Sequence, residues 1–226
     1  MAVLASSRMW MESEAVQQLR AAARLPGMRR AVGMPDLHPG RGVPVGAVFA
    51  AEGWVYPHLV GNDIGCGMAL SLTDLERPAA RLDRWARRLA ELDDLDAPWE
   101  GDAASWLAEH GGGAPTPHDA TLGTIGLGNH FAEVQVVQEI RDAVAAGALG
   151  LDRERVVLLV HSGSRGLGEA VLRAHAERFG SRGLEDGSEA QAEYLARHDQ
   201  AVAWARANRG LIARRMLRAL GGAAEA

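Results

Sequence analysis

The chain is predicted to be a mixed α/β protein, with sheets surrounded by helices. Residues 155–160, Arg-Val-Val-Leu-Leu-Val, form an unbroken run of β-branched and aliphatic side chains, the pattern of a strand buried on both faces. Residues 131–137 alternate Ala132, Val134 and Val136 against Glu133 and Gln135, as a half-buried strand does, while residues 12–25 and 190–220 carry apolar positions at helical spacing. With 226 residues and an apolar share of 47%, the chain can bury a substantial core as one large domain or two small ones.

In chain order, a helix over residues 12–25 places Val16, Leu19 and Ala23 on one face and stops at Pro26-Gly27. Residues 32–40 are dense in turn formers. Residues 43–50 read as a strand that Pro44 and Gly46 put at an edge or a bulge. Residues 54–56 continue that sheet, and a short strand over 68–72 follows the glycine-flanked turn around Cys66. Residues 78–92 form a charged helix with a core stripe of Leu82, Trp85, Leu89 and Leu92. Residues 111–117, Gly-Gly-Gly-Ala-Pro-Thr-Pro, are a loop or a boundary, and a helix is expected over 138–146. The strand over 155–160 delivers His161 into a glycine loop, with a helix opening near Gly168. The segment 190–220 carries Tyr194, Ala201, Trp204 and Ile212, and His175 and His198 are expected to be solvated on their helices.

The formal net charge of -5 supplies no overall basic field, so contact with a polynucleotide must come from a local patch. The basic residues are 24 arginines and no lysine, which excludes Schiff-base and lysyl-nucleotide chemistry. No run of about eighteen uncharged apolar residues is present. The expectation is a cytoplasmic protein without a membrane span, and a single cysteine fits a reducing compartment.

That cysteine, Cys66, lies in Asn62-Asp63-Ile64-Gly65-Cys66-Gly67, three residues after a carboxylate. It is either an inert small core residue or a reactive thiolate, the form that binds metals and attacks electrophiles. Two other glycine-rich segments, Gly128-Asn129-His130-Phe131 and His161-Ser162-Gly163-Ser164-Arg165-Gly166, carry one histidine each. Asp63, Cys66, His130 and His161 together make a mixed O, S and N donor set suited to manganese or zinc. Ser162, Ser164, Arg165 and Gly166 follow a buried strand and resemble a phosphate cradle, though with no lysine it is not a Walker loop. Asp36 and His38, bracketed by Pro35 and Pro39, are either a carboxylate–imidazole pair that orients a substrate or a turn whose aspartate caps its own backbone.

Four blocks in this order, Pro35-Asp36-Leu37-His38-Pro39-Gly40, residues 62–67, Gly123-Thr124-Ile125-Gly126-Leu127-Gly128-Asn129-His130-Phe131 and residues 161–166, resemble the RtcB family of GTP-dependent RNA ligases. The first two are closer to the branch found near a release-factor-like protein, and Ala207-Asn208-Arg209 also fits. The resemblance implies an RtcB-like fold over residues 1–226 as one domain, incomplete at its carboxyl end. It implies an activity that joins RNA 2',3'-cyclic phosphate or 3'-phosphate ends to 5'-hydroxyl ends, in RNA repair or tRNA splicing. It further implies GTP, a guanylylated histidine and one or two Mn(2+) ions as the means. Carried over by motif, Cys66 bridges the ions and acts in catalysis, Asp63, His130 and His161 are metal ligands, and Asp36 assists the nucleotidyl step. Asn129, with Ser162 and Arg165, holds the GTP phosphates. None of the chain's histidines falls in the motif of the guanylylated one, so a second chain or a further segment is expected to supply it. The alternative is a catalytically silent metal-binding remnant or partner-binding domain.

Overall fold

The computed structural model describes residues 1–4, 10–77, 82–91, 95, 97 and 99–222. These divide into two compact units, residues 1–62 with 172–196 and residues 63–171 with 197–226. Among the described residues, no helix is long and apolar enough to cross a membrane.

The first unit contains β1 (Ala2–Val3), α1 (Ser13–Ala22), β2 (Met28–Pro39), β3 (Pro44–Ala51), β4 (Trp54–Val55) and α2 (Pro57–Val60). Helix α1 buries Ala15 and Leu19 against Ala31 and Leu37 of β2, with Val16 and Ala23 packed at the margin. The periodicity located Leu19 on this face, but Ala15 and Ala22 take the fully buried places expected of Val16 and Ala23. Residues 32–39 of the segment expected to be turns instead belong to β2. The two readings meet in a bulge: the β2–β3 register passes from Gly33↔Ala47 to His38↔Val45, so residues 34–37 stand opposite Gly46 alone. Gly46 has φ +69, and a Cβ there would strike the backbone of Asp36. The bulge frees Pro35 from the ladder, which is how a proline survives inside a long strand. Strand β3 forms the edge of the order β1-β2-β3, as Pro44 and Gly46 required. Residues 54–55 do not extend that sheet: β4 pairs with β8 (Leu184–Glu185) as a separate ribbon.

The second unit is built on β5 (Gly67–Glu76), β6 (Phe131–Val136) and β7 (Arg155–Ser162), in the antiparallel order β5-β7-β6. The central β7 buries Val156, Leu158 and Val160 against Trp85, Ile212, Ala213, Met216 and Leu217. Around it lie α3 (Leu82–Glu91), α4 (Ala103–Glu109), a 3-10 turn (Asp119–Thr121) and α5 (Ala143–Ala148). Helix α6 (Gly166–Phe179) leaves the second unit after residue 171, and α7 (Glu189–Leu220) enters it at residue 197. Residues 111–117 are a loop inside the second unit.

Three local expectations are corrected. Leu82 opens α3 at 74% exposure and is not part of the core stripe, whereas Trp85 is buried; Leu92, together with 78–81, lies outside the described residues. Helix α5 begins only at Ala143, because the Asp142 carboxylate accepts from the Val144 and Ala145 amides and caps the helix there. His175 is buried, not solvated: its Nε2–H donates to the Arg182 carbonyl at 3.0 Å, and its ring lies against Phe179 and Tyr194.

Burial holds the His175 imidazole below the ordinary histidine value, opposed by its bond to the Arg182 carbonyl. Burial does the same to His58, and the charge of His175 adds to it. Both rings are therefore neutral in the folded protein at pH values where the unfolded chain already takes up protons. Their contribution is complete above about pH 6.5 and is lost as pH falls below it. The melting temperature is expected to drop between about pH 7.5 and pH 5.5, and to drop less in His175→Gln, whose amide can still donate to the Arg182 carbonyl. Equal slopes in the two proteins, measured by thermal unfolding monitored by circular dichroism, would refute this account of His175.

Candidate metal centre

Strand register assembles the site. Strand β5 begins at Gly67, directly after Cys66; β6 begins at Phe131, directly after His130; and β7 ends at Ser162, directly after His161. Because β5 and β6 both run antiparallel to β7, their first residues align with its last ones: Gly67 pairs with Ser162, and Met68 and Phe131 both pair with His161. Three separate glycine loops thus open at one end of one sheet.

The Asp63–Cys66 turn is closed by Cys66 N–H donating to the Asp63 carbonyl at 3.0 Å and is pinned by the buried Ile64. Gly65 allows this closure, with φ +74 and no room for a Cβ against Val202 and Ala205 of α7. The Cys66 sulfur lies 3.6 Å from Nε2 of His130 and 3.6 Å from Nε2 of His161. One donor atom from each of the three residues falls within 4.8 Å of the others. The Asp63 Oδ2 is 2.8 Å from His130 Nε2.

The histidine tautomers follow from the opposite side of each ring. His130 Nδ1–H donates to the Ile125 carbonyl at 3.0 Å, and His161 Nδ1–H donates to the Gly67 carbonyl at 3.1 Å. With the Nδ1–H of each ring committed to a main-chain carbonyl, the Nε2 side of both rings faces the Cys66 sulfur, and that of His130 also faces Asp63 Oδ2. A lone pair, a carboxylate oxygen and a sulfur directed at one another repel unless a proton or a cation lies among them. The residues therefore fit a transition-metal ion.

Cys66 reaches solvent on one side. Partial burial of its sulfur, together with the Asp63 charge and hydrogen bond, pushes the thiol up to about 11, and Arg209 opposes the shift. In the metal-free protein it is a protonated, weakly nucleophilic thiol.

The loop after His161 is tight. Arg165 has φ 57, a left-handed conformation that strains a residue bearing a side chain. Its peptide N–H faces Asp63 Oδ1 at 3.3 Å, and its guanidinium lies over Gly126, where any side chain would overlap it. Ser162 uses its hydroxyl internally, donating to the Ile125 carbonyl at 2.9 Å. Ser164 Oγ and Arg165 Nε are buried without a partner among the described residues. Asn129 is exposed at the tip of its loop. Asp36 is exposed in the first unit, and His38 Nδ1 meets its main-chain carbonyl at 2.7 Å, not its carboxylate.

The sequence reading did not identify the supports. Gly163 must lack a side chain because a Cβ there would collide with the Asp63 carboxylate. Asn208 and Arg209 bind the loops from α7, and no spacing pattern announced them apart from the Ala207-Asn208-Arg209 block.

A thiol near pKa 11 holds about a hundredfold less thiolate at pH 8 than one near 9. Alkylation of metal-free Cys66 by iodoacetamide is therefore expected to be slow at pH 8 and to accelerate with every pH unit up to about 11. Asp63→Asn should speed it, because the variant removes a charge that opposes the thiolate. A rate matching that of a small free thiol would contradict the assigned environment.

The chain is similar to known proteins along most of its length. The family profile described as "tRNA-splicing ligase RtcB" matches residues 18–94 and 108–225. The "RNA-splicing ligase RtcB2" of Escherichia coli is 49% identical over 216 residues, covering 95% of this chain and 55% of that protein. The "RNA-splicing ligase RtcB" of Mycobacterium tuberculosis is 34% identical over 212 residues, covering 72% of this chain and 49% of the relative. The "tRNA-splicing ligase RtcB" of Thermococcus kodakarensis is 32% identical over 209 residues, covering 71% and 42%. The chain spans about half the length of the curated relatives it matches. On the profile match and the identity carried through nearly all of its length, the chain belongs to the RtcB family.

Proposed function

We propose that this chain carries the metal-binding part of an RNA ligase that joins RNA 3'-phosphate or 2',3'-cyclic phosphate ends to 5'-hydroxyl ends with GTP. The observation that carries the reading is the convergence of Cys66 Sγ with the Nε2 atoms of His130 and His161, whose Nδ1 protons are both held by main-chain carbonyls. The family's RNA-splicing ligases supply the reaction class.

Cys66, His130 and His161 would hold a divalent ion, with Asp63 as the oxygen donor, and Mn(2+) is the ion we assign from the family. Cys66 would also help to hold a second ion. Such an ion supplies Lewis-acid stabilisation of charge on phosphoryl oxygens. The Arg165 guanidinium and the Ser162–Arg165 turn would bind phosphate oxygens of GTP, together with Asn129. The buried, partnerless Ser164 Oγ and Arg165 Nε fit such an acceptor-rich ligand. Asp36 would assist the nucleotidyl step, in which a histidine takes GMP from GTP and releases pyrophosphate. GMP then passes to the RNA 3'-phosphate and is displaced by the 5'-hydroxyl. None of the histidines described here stands in that role, so we assign it to the remainder of the family fold, joined to this chain or carried by a second one.

Two measurements test the reading. Cys66→Ala is expected to lose most bound manganese or zinc by elemental analysis, while His198→Ala, at a half-exposed helix position beside Asp199, keeps it. Equal occupancy in both variants sinks the site. When the remaining portion of the Escherichia coli relative is added, radioactive GTP is expected to label protein in a Mn(2+)-dependent way. Persistent absence of label, with metal bound, favours a metal-binding domain without ligase activity.

A further inference from the structure

We propose that Asn208 and Arg209, adjacent residues of α7, are the positioning residues of the metal centre and act on different ligands. Arg209 sets the separation of Cys66 and His161, and Asn208 sets the aim of His130. The proposal rests on the reading of Cys66, His130 and His161 as metal ligands.

Neighbouring positions on a helix point about 100° apart, so two consecutive side chains can reach two different loops. Arg209 is nearly buried, and its Nη1 donates to the Gly65 carbonyl at 2.7 Å and to the Ser162 carbonyl at 2.8 Å. Gly65 immediately precedes Cys66, and Ser162 immediately follows His161. One guanidinium nitrogen therefore ties the turn carrying the sulfur to the strand end carrying the imidazole. Without it, two carbonyl oxygens converge with no donor between them, and the two loops have reason to separate.

Asn208 is fully buried and serves the other side of the site. Its Oδ1 accepts from Gly123 N–H at 2.7 Å, and its Nδ2 faces the Thr124 carbonyl at 3.2 Å, Ser162 Oγ at 3.3 Å and the Gly163 carbonyl at 3.5 Å. The Ser162 hydroxyl passes its own proton to the Ile125 carbonyl, the same oxygen that accepts from His130 Nδ1. The path from Asn208 through Ser162 to Ile125 ends on the atom that fixes the His130 tautomer. The helix is itself secured behind these residues, since Trp106 Nε1–H donates to the Ala207 carbonyl at 3.0 Å.

Cobalt(II) titration of the whole chain tests the proposal, because the sulfur-to-cobalt charge-transfer band reports Cys66 and the ligand-field bands report the remaining donors. The wild type is measured first: absence of a sulfur band there overturns the ligand reading itself, separately from the present proposal. With the band present, Arg209→Met is expected to weaken it and to lower cobalt affinity about 10–100-fold. Asn208→Ala should retain the sulfur band, shift the ligand-field bands and lose affinity to a similar degree. Leu217→Ala, a core truncation on the same helix, is expected to lower the melting temperature and leave the spectrum unchanged. Wild-type spectra and affinity in both folded variants overturn the proposal, as does an equal spectral disturbance in Leu217→Ala. Should either variant fail to fold, Ser162→Ala, which removes only the relay hydroxyl, and Arg209→Lys, which keeps the charge but loses the planar guanidinium that spans the two carbonyls, carry the test. Ser162→Ala must then shift the ligand-field bands, and Arg209→Lys must show a sulfur band weaker than wild type; unchanged spectra in both overturn the proposal.

Discussion

The antiparallel register of β5, β7 and β6 is the constraint on which the site depends. Residues 66, 130 and 161 are far apart in the chain, yet each directly adjoins a strand end that the ladder places at the same edge. Side chains alternate faces along a strand, so a slip of one residue on β7 would turn His161 to the opposite face and remove the site. That register is held by the apolar side chains of β7, which bury Val156, Leu158 and Val160 against α7 and Trp85. Core packing and ligand geometry are thus the same specification, written along one strand.

Glycine supplies what the ladder cannot. Gly65 lets the Cys66 turn press against α7, and Gly163 leaves the space that the Asp63 carboxylate occupies. Arg165 accepts a strained left-handed backbone between them. Such strain persists only where the surroundings over-determine it, and here they do: the peptide faces Asp63 and the guanidinium lies over Gly126. The loops are therefore closely held elements despite their composition. Two buried polar residues of α7 complete this by satisfying main-chain groups that would otherwise be unpaired inside the second unit.

The electrostatics point the same way as the geometry. Asp63 opposes the Cys66 thiolate while Arg209 favours it, and the balance leaves the metal-free sulfur protonated. An ion that displaces that proton would bind the carboxylate, the sulfur and the two imidazole nitrogens that converge there.

Much of this was legible in the sequence because its causes are local. The unbroken apolar run gave away β7 as a central strand, the stripe of α1 picked out Leu19 on its buried face, and three glycine-bearing blocks supplied Asp63, Cys66, His130 and His161 as candidate donors, of which the last three converge. Errors arose where a distant partner overrode local chemistry. The turn formers of residues 32–39 became part of β2 because a bulge opposite Gly46 absorbed them. The helical His175 was buried by Phe179 and Tyr194. For Asp36 and His38, where the sequence left a substrate-orienting pair or a turn open, the contact found is that of His38 Nδ1 with the Asp36 main-chain carbonyl. The sequence by itself determined which side chains can ligate and which strands can be buried, since composition and periodicity act over a few residues. Only the tertiary structure decided that both imidazoles direct Nε2 toward one sulfur, and that Asn208 and Arg209 hold the loops in place, because the contacts of Cys66 with both rings and the bonds of Asn208 and Arg209 join residues separated by scores of positions in the chain.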